Sequence, residues 1–544
     1  MISGYSIVNG EPLKSGASTF AALNPATGET LGPQFHNASL DDLTRAGELA
    51  CAAVISYHLT TGKERAEFLR RIASGIEAIG TELVARAQAE TALSETRLSG
   101  EMARTTGQLR LFAKIVEEGS WVDARIDLAD PERKPSRRPD LRSMLRPIGP
   151  VAVFGASNFP LAFSVAGGDT ASALAAGNPV IAKGHPAHPG TSELVGQVIA
   201  NAVREQGLHP GTFALLFGDN ELSAALVQNP EIRAVGFTGS LAVGKVLMDL
   251  CASRPRPIPC FTEMSSVNPL FVLPSALSEN AAGIAAGLFA SFTQGVGQFC
   301  TKPGLVFLPA NEDGDALVAE LTRLVEEAGS HAMLTENISL NYRTRIDRRT
   351  SKSAVRTLAT GSAPADLSSC SAIPELFEID GRDFLQDREL TAEIFGPSTL
   401  IIRYDSRDEM LALAHSLEGQ LTATIHASEH DLVYYPDLIG VLERRAGRLI
   451  LNGFPTGVEV AHAMVHGGPF PATSDSRFTS VGALAINRWV RPVCYQDFPQ
   501  SCLSDELKDE NPLGIVRTVN GTLTRDTLGH KPEALHGQHV FRKI

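Results

Sequence analysis

Between residues 150 and 252, short apolar runs alternate four times with helical segments, and this alternation constrains the fold more than any other feature of the chain. The runs "VAVFG", "PVIAKG", "TFALLFG" and "IRAVGF" have the length of buried strands, and each precedes a segment typical of a helix. Such a pattern predicts a parallel sheet covered by helices on both faces. Sheets of this kind bind ligands at the carboxyl ends of their strands.

A second α/β series begins after residue 264, with strand candidates in "NPLFVLP", "GLVFLP", "ATIHA" and "RLILNG". A single hydrophobic core rarely grows to the size of a chain of 544 residues, so we expect two or three domains. Residues 130–147 and the tail after about residue 500 have the composition of linkers or arms.

Charge argues against several classes of function. The net charge of -13 disfavours a general role at nucleic-acid or membrane surfaces. The Arg-rich stretch at 130–147 contains acidic residues and no interleaved aromatics, so a solvated or subunit-bridging arm is a better interpretation than a nucleic-acid patch. The polar start "MISGYSIVNG" is unlike a signal peptide, and no apolar run reaches membrane-spanning length.

The seven cysteines are scattered, odd in number and without CxxC spacing. This usage argues against a disulfide framework or a zinc knuckle and for a reducing compartment. We therefore expect a cytoplasmic protein without a metal site.

One of these cysteines, Cys300, lies in the glycine-flanked loop "GVGQFCTKPG" after a predicted helix. Its neighbours are polar, whereas a filler thiol would normally have apolar surroundings. Cationic or N–H-rich surroundings lower the pKa of a thiol and make it a nucleophile. The loop alone leaves a nucleophile and a structural thiol equally open.

Three other polar residues carry a similar ambiguity. Asn158, in "GASNFP", is either a turn residue or an amide donor to a developing oxyanion. Glu263, in "CFTEMSSVNP", is either an exposed acid or a general base between the two α/β series. Glu393, in "TAEIFGP", has the same two interpretations.

Residues 236–245, "GFTGSLAVGK", follow a strand and open a helix, where backbone N–H groups can approach a phosphate. The segment is not GxGxxG, so an ordinary tight turn is equally compatible with it. Lys183 ends a predicted strand at the edge where a ligand is expected. His185 and His188 follow it without an obvious carboxylate or thiol to complete a metal site.

Taken in order and spacing, Asn158, Lys183, "GFTGS", Glu263, "GQFC" and "EIFGP" resemble the aldehyde dehydrogenase superfamily over roughly residues 20–500. The resemblance implies NAD(P)-dependent oxidation of an aldehyde to a carboxylic acid through a cysteine thiohemiacetal and a thioester. It implies that Cys300 is the nucleophile, that Asn158 and the Cys300 backbone N–H stabilise the oxyanion, and that Glu263 activates the hydrolytic water.

The resemblance also implies a set of cofactor-binding residues. They are Lys183, His185, Thr238, Gly239, Ser240, Gly244, Glu393 and Phe395. Many NAD-using members carry a glutamate three residues after the lysine, where this chain has Pro186. A carboxylate would repel a 2′-phosphate, so its absence favours NADP, with NAD still possible.

The resemblance further implies an aldehyde dehydrogenase-like α/β fold. A Rossmann-type cofactor-binding domain would comprise residues 1–126 and 148–264, and an α/β catalytic domain residues 265–458. Bridging or oligomerisation elements, including a small sheet, would comprise 127–147 and 459–500, followed by a C-terminal extension at 501–544. Homodimers or homotetramers are expected, with a small-molecule aldehyde as the ligand.

Four segments, "EMSSVNP", "HGGPFPATSDSRFTSVG", "GVGQFCTKPG" and "RPVCYQDFP", resemble one branch of the superfamily. Its members oxidise 2,5-dioxopentanoate (α-ketoglutaric semialdehyde) to 2-oxoglutarate or, in a neighbouring NADP-linked group, fatty aldehydes, and the first reaction is the primary expectation. Arg104 and "PATSDSR" are candidates for the substrate carboxylate, although Arg104 is more simply read as a helix-surface residue.

Other functions remain open. A medium- or long-chain fatty aldehyde is the alternative substrate and would need an apolar tunnel. Its candidate residues are Phe112, Phe159, Phe163 and Phe299. A non-catalytic protein on the same fold and an acyl-phosphate reductase are the outside alternatives.

Overall fold

The computed structural model describes residues 2–16, 18–362 and 370–528. Its strands in chain order are β1 (Ser6–Val8), β2 (Glu11–Leu13), β3 (Thr19–Leu23), β4 (Thr30–His36), β5 (Arg125–Asp127), β6 (Leu141–Pro147), β7 (Val151–Phe154), β8 (Val180–Lys183), β9 (Phe213–Leu216), β10 (Ala234–Thr238), β11 (Cys260–Glu263), β12 (Leu270–Val272), β13 (Leu305–Pro309), β14 (His331–Ala332), β15 (Arg356–Thr360), β16 (Ser371–Ala372), β17 (Glu375–Asp380), β18 (Ser398–Tyr404), β19 (Gln420–His426), β20 (Ala446–Leu451), β21 (Val490–Gln496), β22 (Arg517–Val519) and β23 (Thr522–Thr524).

Its α-helices are α1 (Leu40–His58), α2 (Gly62–Ala78), α3 (Gly80–Thr91), α4 (Glu95–Glu118), α5 (Gly168–Ala176), α6 (Pro189–Glu205), α7 (Asn220–Gln228), α8 (Leu241–Ala252), α9 (Pro274–Thr293), α10 (Glu312–Glu326), α11 (Glu336–Thr350), α12 (Gly381–Gln386), α13 (Arg407–Ser416), α14 (Glu429–Tyr434) and α15 (Pro436–Leu442). Within the described ranges, no helix is long and apolar enough to cross a membrane.

The first α/β series forms a seven-stranded sheet in the order β11-β10-β7-β8-β9-β1-β2. Strands β7 to β10 pair in parallel, as predicted, β11 adds a further parallel strand, and β1 and β2 add an antiparallel edge. Val151 and Val153 of β7 pack into one apolar cluster, and Ala152 and Phe154 into another on the opposite face. The strand is uniformly apolar because both faces of the sheet are covered.

The order of these strands places a crevice at a definite point. From β7 the chain runs to β8 and β9 on one side and then returns to β10 on the other side of β7. Ligands bind outside the carboxyl ends of strands at such a switch point. Asn158 follows β7 there, Thr238 ends β10, and Glu263 ends the neighbouring strand β11, which the sequence pattern did not reveal.

The second α/β series forms another seven-stranded sheet, in the order β15-β17-β18-β13-β12-β19-β20. Its strands pair in parallel except at β15, which is antiparallel to β17. Cys300 lies in the loop between α9 and β13, on the side of this sheet that approaches the first.

A five-stranded sheet has the order β21-β6-β5-β22-β23. Its last two strands come from residues 517–524, so the expectation of a linker-like tail is wrong for that segment. Arg142, expected in a solvated arm, is buried and donates to Asp140 and to the Leu507 carbonyl. The proposed domain boundaries stay a prediction, and residues 1, 17, 363–369 and 529–544 of those ranges lie outside the described residues.

Candidate active site

The loop before Cys300 makes a tight left-handed turn. Gly295, Val296 and Gly297 have φ values of +57°, +59° and +65° in succession. A Cβ atom at Gly297 would lie 2.2 Å from the carbonyl oxygen of Gly396, so glycine is required there. A β-branched residue in the left-handed region is strained, and such strain persists where surrounding structure holds it. The glycines around Cys300 therefore shape the turn that presents it.

Hydrogen bonds to the backbone fix the loop after the turn. Nδ2 of Asn268 donates to the carbonyls of Cys300 (2.8 Å) and Lys302 (3.0 Å). Nζ of Lys302 is buried and donates to the carbonyl of Ser398 (2.7 Å). The loop is thus attached to β18 of the second sheet.

Cys300 lies against a buried histidine and a buried carboxylate. Nε2 of His466 is 3.5 Å from Cys300 Sγ and 2.9 Å from Glu263 Oε1. Oγ of Ser480 donates to the other carboxylate oxygen, Glu263 Oε2, at 2.5 Å. His466 and Glu263 are buried, and Cys300 keeps partial exposure. A thiol, an imidazole and a carboxylate in this arrangement can exchange protons.

The charges of this cluster are set by its partners. Burial raises the pKa of the Cys300 thiol well above its usual range, and the neighbouring Glu263 carboxylate adds to the shift. Burial alone would raise the pKa of Glu263. Interaction with His466 and hydrogen bonds from His466, Ser480 and Cys300 outweigh burial and lower that pKa. The resting pair is therefore a protonated thiol beside an ionised carboxylate, so the thiol must lose its proton before it can attack.

The structure places Asn158 against the same loop. Its Nδ2 donates to the backbone carbonyl of Gln298 at 3.0 Å, two residues before Cys300. Glu101 fixes the turn that follows Asn158, because its Oε1 accepts hydrogen bonds from the N–H groups of Leu161 and Ala162, both at 2.9 Å. An amide has two N–H donors, so a second donor is available beyond the bond to Gln298.

Lys183 and His185 lie together at the carboxyl end of β8. Burial lowers the pKa of Lys183 to about 8, and the opposing charge of Asp219 limits the shift. Burial, His188 and Lys183 hold the pKa of His185 well below its usual range. Nδ1 of His185 accepts from the Ala187 N–H at 3.1 Å, so the neutral ring carries its proton on Nε2. Both side chains can thus donate to an anion.

The remaining residues expected to bind a cofactor line the path from β10 to Cys300. Thr238 pairs with Glu263, and the N–H of Gly239 donates to the Glu263 carbonyl at 3.0 Å. Ser240 caps α8, whose first turn therefore faces the crevice. A Cβ atom at Gly244 would lie 2.5 Å from Met264 Sδ, so this glycine keeps the helix close to the strand. This helix N-terminus lies at the same sheet edge as Lys183, with β7 between their strands, and a helix N-terminus suits a dinucleotide phosphate.

Glu393 accepts a hydrogen bond from Ser265 Oγ at 2.7 Å. Burial raises the pKa of Glu393, opposed by that bond and by the charges of Lys302 and Arg345. The Glu393 charge also reaches Cys300. Phe395 is half-buried two residues further on, before β18. The structure thus brings Glu393 to the cysteine side of the crevice and Lys183 to the far side.

Three phenylalanines named for an apolar tunnel do meet near Cys300. Phe159 packs edge-on against Phe163 and Phe299, with ring centroids 5.2 and 5.3 Å apart. Phe112 does not join them and lies in the core of the first sheet, so its assignment to a tunnel is wrong. Two guanidinium groups lie on the cluster, Arg97 over Phe159 and Phe299 and Arg104 over Phe163.

Arg104 is not the helix-surface residue that its place in α4 suggested. Burial lowers its pKa, opposed by the charges of Glu101, Cys300 and Glu263. Its Nε donates to the carbonyl of Val458 at 3.3 Å. Among the described residues, its buried Nη1 has no hydrogen-bond partner. A guanidinium with a free donor therefore lies within electrostatic range of the thiol.

The sequence reasoning missed His466 and Ser480 as members of the site. Both lie in residues 466–482, the segment that departs from most of the superfamily, and the departure itself was the available signal. No spacing rule could have found them, because His466 is 166 residues from Cys300 and 203 from Glu263 along the chain.

Comparison with known proteins identifies the family of the chain. The aldehyde dehydrogenase family model matches residues 13–468. The chain is 47% identical to the α-ketoglutaric semialdehyde dehydrogenase of Acinetobacter baylyi, over 96% of this chain and 99% of that protein. It is also 47% identical to α-ketoglutaric semialdehyde dehydrogenase 2 of Azospirillum brasilense, with the same coverage.

Solved structures share the fold at lower identity. Methylmalonate-semialdehyde dehydrogenase from Oceanimonas doudoroffii superposes with a TM-score of 0.78 at 19% identity, over 92% of this chain and 99% of that one. PnpE in complex with nicotinamide adenine dinucleotide has a TM-score of 0.78 at 20% identity, over 91% of this chain and 98% of that one.

Proposed function

The chain belongs to the aldehyde dehydrogenase family, and we propose that it oxidises 2,5-dioxopentanoate to 2-oxoglutarate with NADP as the preferred cofactor. The substrate proposal is supported by 47% identity over nearly the whole chain to two α-ketoglutaric semialdehyde dehydrogenases. The structural observation that carries it is the half-buried Arg104 guanidinium, whose charge acts on Cys300 and whose Nη1 has no hydrogen-bond partner among the described residues. A charged donor of this kind suits the carboxylate of a short 2-oxo acid.

The first chemical step is attack by Cys300 on the aldehyde carbon. The ionised Glu263 carboxylate accepts a hydrogen bond from the thiol and takes its proton as the carbon–sulfur bond forms. His466 Nε2, in contact with both groups, keeps the thiol and the carboxylate in register. The carbonyl oxygen becomes an oxyanion, which the Asn158 amide and the Cys300 backbone N–H stabilise by hydrogen bonds.

NAD(P), when bound, supplies the hydride acceptor that converts the thiohemiacetal into a thioester. Lys183 and His185 would hold the adenosine end, and the first turn of α8 after Ser240 the pyrophosphate. Glu393 and Phe395 would contact the nicotinamide ribose.

Glu263 then serves a second time, as the base for hydrolysis. It first releases the thiol proton to solvent and then accepts a proton from the water molecule that attacks the thioester carbon. The carbon–sulfur bond breaks, the departing Cys300 sulfur takes that proton back from Glu263, and the acid product leaves as a carboxylate with its own proton lost to solvent. Ser480 holds Oε2 of Glu263, which keeps the carboxylate in place for both steps. This hydrolytic role distinguishes the reaction from that of an acyl-phosphate reductase, in which phosphate and not water is exchanged with the cysteine sulfur at the acyl carbon.

The cofactor proposal depends on charge at the end of β8. Pro186 stands where a carboxylate would repel a 2′-phosphate, and Lys183 and His185 offer donors to it. The carboxylate of Asp219 acts on Lys183, and its oxygen Oδ1 accepts a hydrogen bond from the Leu222 N–H at 3.0 Å as the N-cap of α7. NADP should therefore be turned over with a higher kcat/KM than NAD.

The fatty aldehyde alternative would use the phenylalanine cluster. Arg97 and Arg104 lie over those rings, so the apolar surface is covered by two cations. A long alkyl chain would have to displace them, whereas a carboxylate would be attracted. The short dicarbonyl acid is therefore the better substrate.

The decisive experiment compares 2,5-dioxopentanoate with octanal for the wild type and for Arg104→Gln. We expect the wild type to prefer the dioxo acid, and the variant to raise its KM about tenfold or more while octanal changes little. Arg110→Gln is the matched control, since Arg110 lies on the same helix but is paired with Glu77 away from the site. A wild-type preference for octanal would overturn the substrate proposal, and unchanged KM in Arg104→Gln would overturn the role of that arginine.

A further inference from the structure

Three side chains at the bottom of the site form a set of metal-ligating atoms. Glu263 Oε, Cys300 Sγ and His466 Nε2 all lie within 4.8 Å of one another. They come from β11, from the loop after α9 and from the segment that follows β20. Glu263 and His466 are buried, at 3% and 0% exposure, so packing fixes their positions, unlike those of surface side chains that approach one another by chance.

The separations of these atoms fit one ion. Zinc binds sulfur at about 2.3 Å and nitrogen or oxygen at about 2.0–2.2 Å, so tetrahedral ligands lie about 3.4–3.6 Å apart. The observed contacts are 2.9 Å between His466 Nε2 and Glu263 Oε1 and 3.5 Å between His466 Nε2 and Cys300 Sγ. The third separation, between the Glu263 carboxylate oxygen and Cys300 Sγ, is at most 4.8 Å, so movements of about 1 Å would place all three atoms around one centre.

The chemistry of the set favours zinc over the hard cations. Thiolate and imidazole are ligands for zinc, whereas magnesium and calcium prefer oxygen alone. A thiolate and a carboxylate together neutralise a divalent charge in a buried place. The second oxygen of the carboxylate is already held by Ser480 at 2.5 Å, the kind of outer hydrogen bond that orients a ligating group.

We propose that Glu263, Cys300 and His466 bind one Zn²⁺ ion and that this ion reversibly inhibits the enzyme. Binding displaces the thiol proton to solvent and takes the Nε2 lone pair of His466, so the ring proton lies on Nδ1, and no electron is transferred. A water molecule completes the tetrahedron. The ion and the substrate compete because both bind the same sulfur, whichever aldehyde is the substrate.

The test uses the full-length protein freed of metal and titrated with Zn²⁺ alone against a chromophoric chelator. One tight site is expected, and Cys300→Ser, Glu263→Gln and His466→Asn should each weaken it by about tenfold or more. Cys494→Ser combined with Cys502→Ser, at two exposed thiols, should leave it unchanged. Co²⁺ in place of zinc should give a thiolate-to-cobalt charge-transfer band that is lost in Cys300→Ser.

A second measurement does not depend on how the variants fold. Zn²⁺ should slow alkylation of Cys300 by iodoacetamide in the wild type, and a chelator should restore the rate. Zinc affinity unchanged in Cys300→Ser and His466→Asn, absence of the cobalt band, or alkylation unaffected by zinc would each overturn the proposal. Turnover by the metal-free enzyme separately tests the proposed function, which could fail while the zinc site stands.

Discussion

Glu101 and Glu263 are both buried glutamates, at 4% and 3% exposure, and the charges of both act on Arg104. Their partners differ. Glu101 accepts from two backbone N–H groups and from Arg97, and burial outweighs these contacts and raises its pKa. Glu263 is surrounded by Cys300, His466 and Ser480, and its pKa is lowered. Burial alone therefore does not identify a reactive carboxylate, whereas partners that can exchange protons do.

The largest expected effect is that of Glu263→Gln. An amide of the same shape cannot accept the thiol proton or activate water, so kcat should fall by about 10²–10⁴-fold. Thermal unfolding should change little, since Ser480 and His466 still find a hydrogen-bonding partner. Steady-state kinetics and a melting curve measure both. If Glu263→Gln keeps more than about a tenth of wild-type kcat, the conclusion that Glu263 is reactive and Glu101 is not would be wrong.

His466→Gln should have the second-largest effect and lower kcat by about 10²-fold. This is the lower end of the range for acid–base residues, because His466 positions a proton and does not itself accept it. The longer amide keeps a donor near Glu263 but cannot reproduce the ring contact to Cys300 Sγ. Iodoacetamide alkylation rates across pH report whether thiol ionisation has changed. His462→Gln, four residues earlier in the same segment, is the control. Identical alkylation profiles for both variants would contradict a role for His466 at the thiol.

Glu101→Gln should mainly affect stability. The amide oxygen can still accept from Leu161 and Ala162, but its NH₂ group would face Arg97. Arg97 would then lose its charged partner, so the free energy of unfolding should fall by about 1–3 kcal/mol. Denaturant titration measures this change. Residual activity per folded molecule should exceed that of Glu263→Gln by at least about tenfold. A folded Glu101→Gln protein as inactive as Glu263→Gln would show that Glu101 also takes part in the chemistry.

The smallest expected effect concerns Lys183, a half-buried cation whose pKa is about 8. The amine is charged below that pH and neutral above it, so the affinity for NADP should fall as pH rises from 7 to 9, by less than about tenfold. His185 and His188 have pKa values lowered by burial and stay neutral in this window. Cofactor fluorescence measures the affinity. Lys183→Met should abolish the slope, and a slope that persists would assign it to another group.

Much of the fold was readable from the sequence because local pattern determines it. Strands β7 to β9 lie within the predicted apolar runs and β10 extends one residue beyond its run, since strands buried on both faces are mostly apolar. Strand β11 escaped prediction because "CFTE" mixes polar and apolar residues. Strands β22 and β23 escaped because their stability depends on pairing with β5 and not on their own composition.

The candidate site was predictable where motifs are continuous in the chain. The glycines before Cys300 indicate a left-handed turn, and the small residues after β10 indicate that the following helix packs close to the sheet. Arg104 was misjudged because helix periodicity does not tell which polar residue points into a pocket. Phe112 was misjudged for the converse reason, since an aromatic residue on the same helix packs into the core.

The sequence by itself determined the parallel sheet, the crevice at its carboxyl edge and the loop that presents Cys300. Each depends on residues close together in the chain. Only the tertiary structure decided that Cys300 rests as a thiol and that His466 and Ser480 complete its surroundings. The physical reason is that a pKa depends on burial and on charges within a few ångströms, and these come from segments that folding alone brings together.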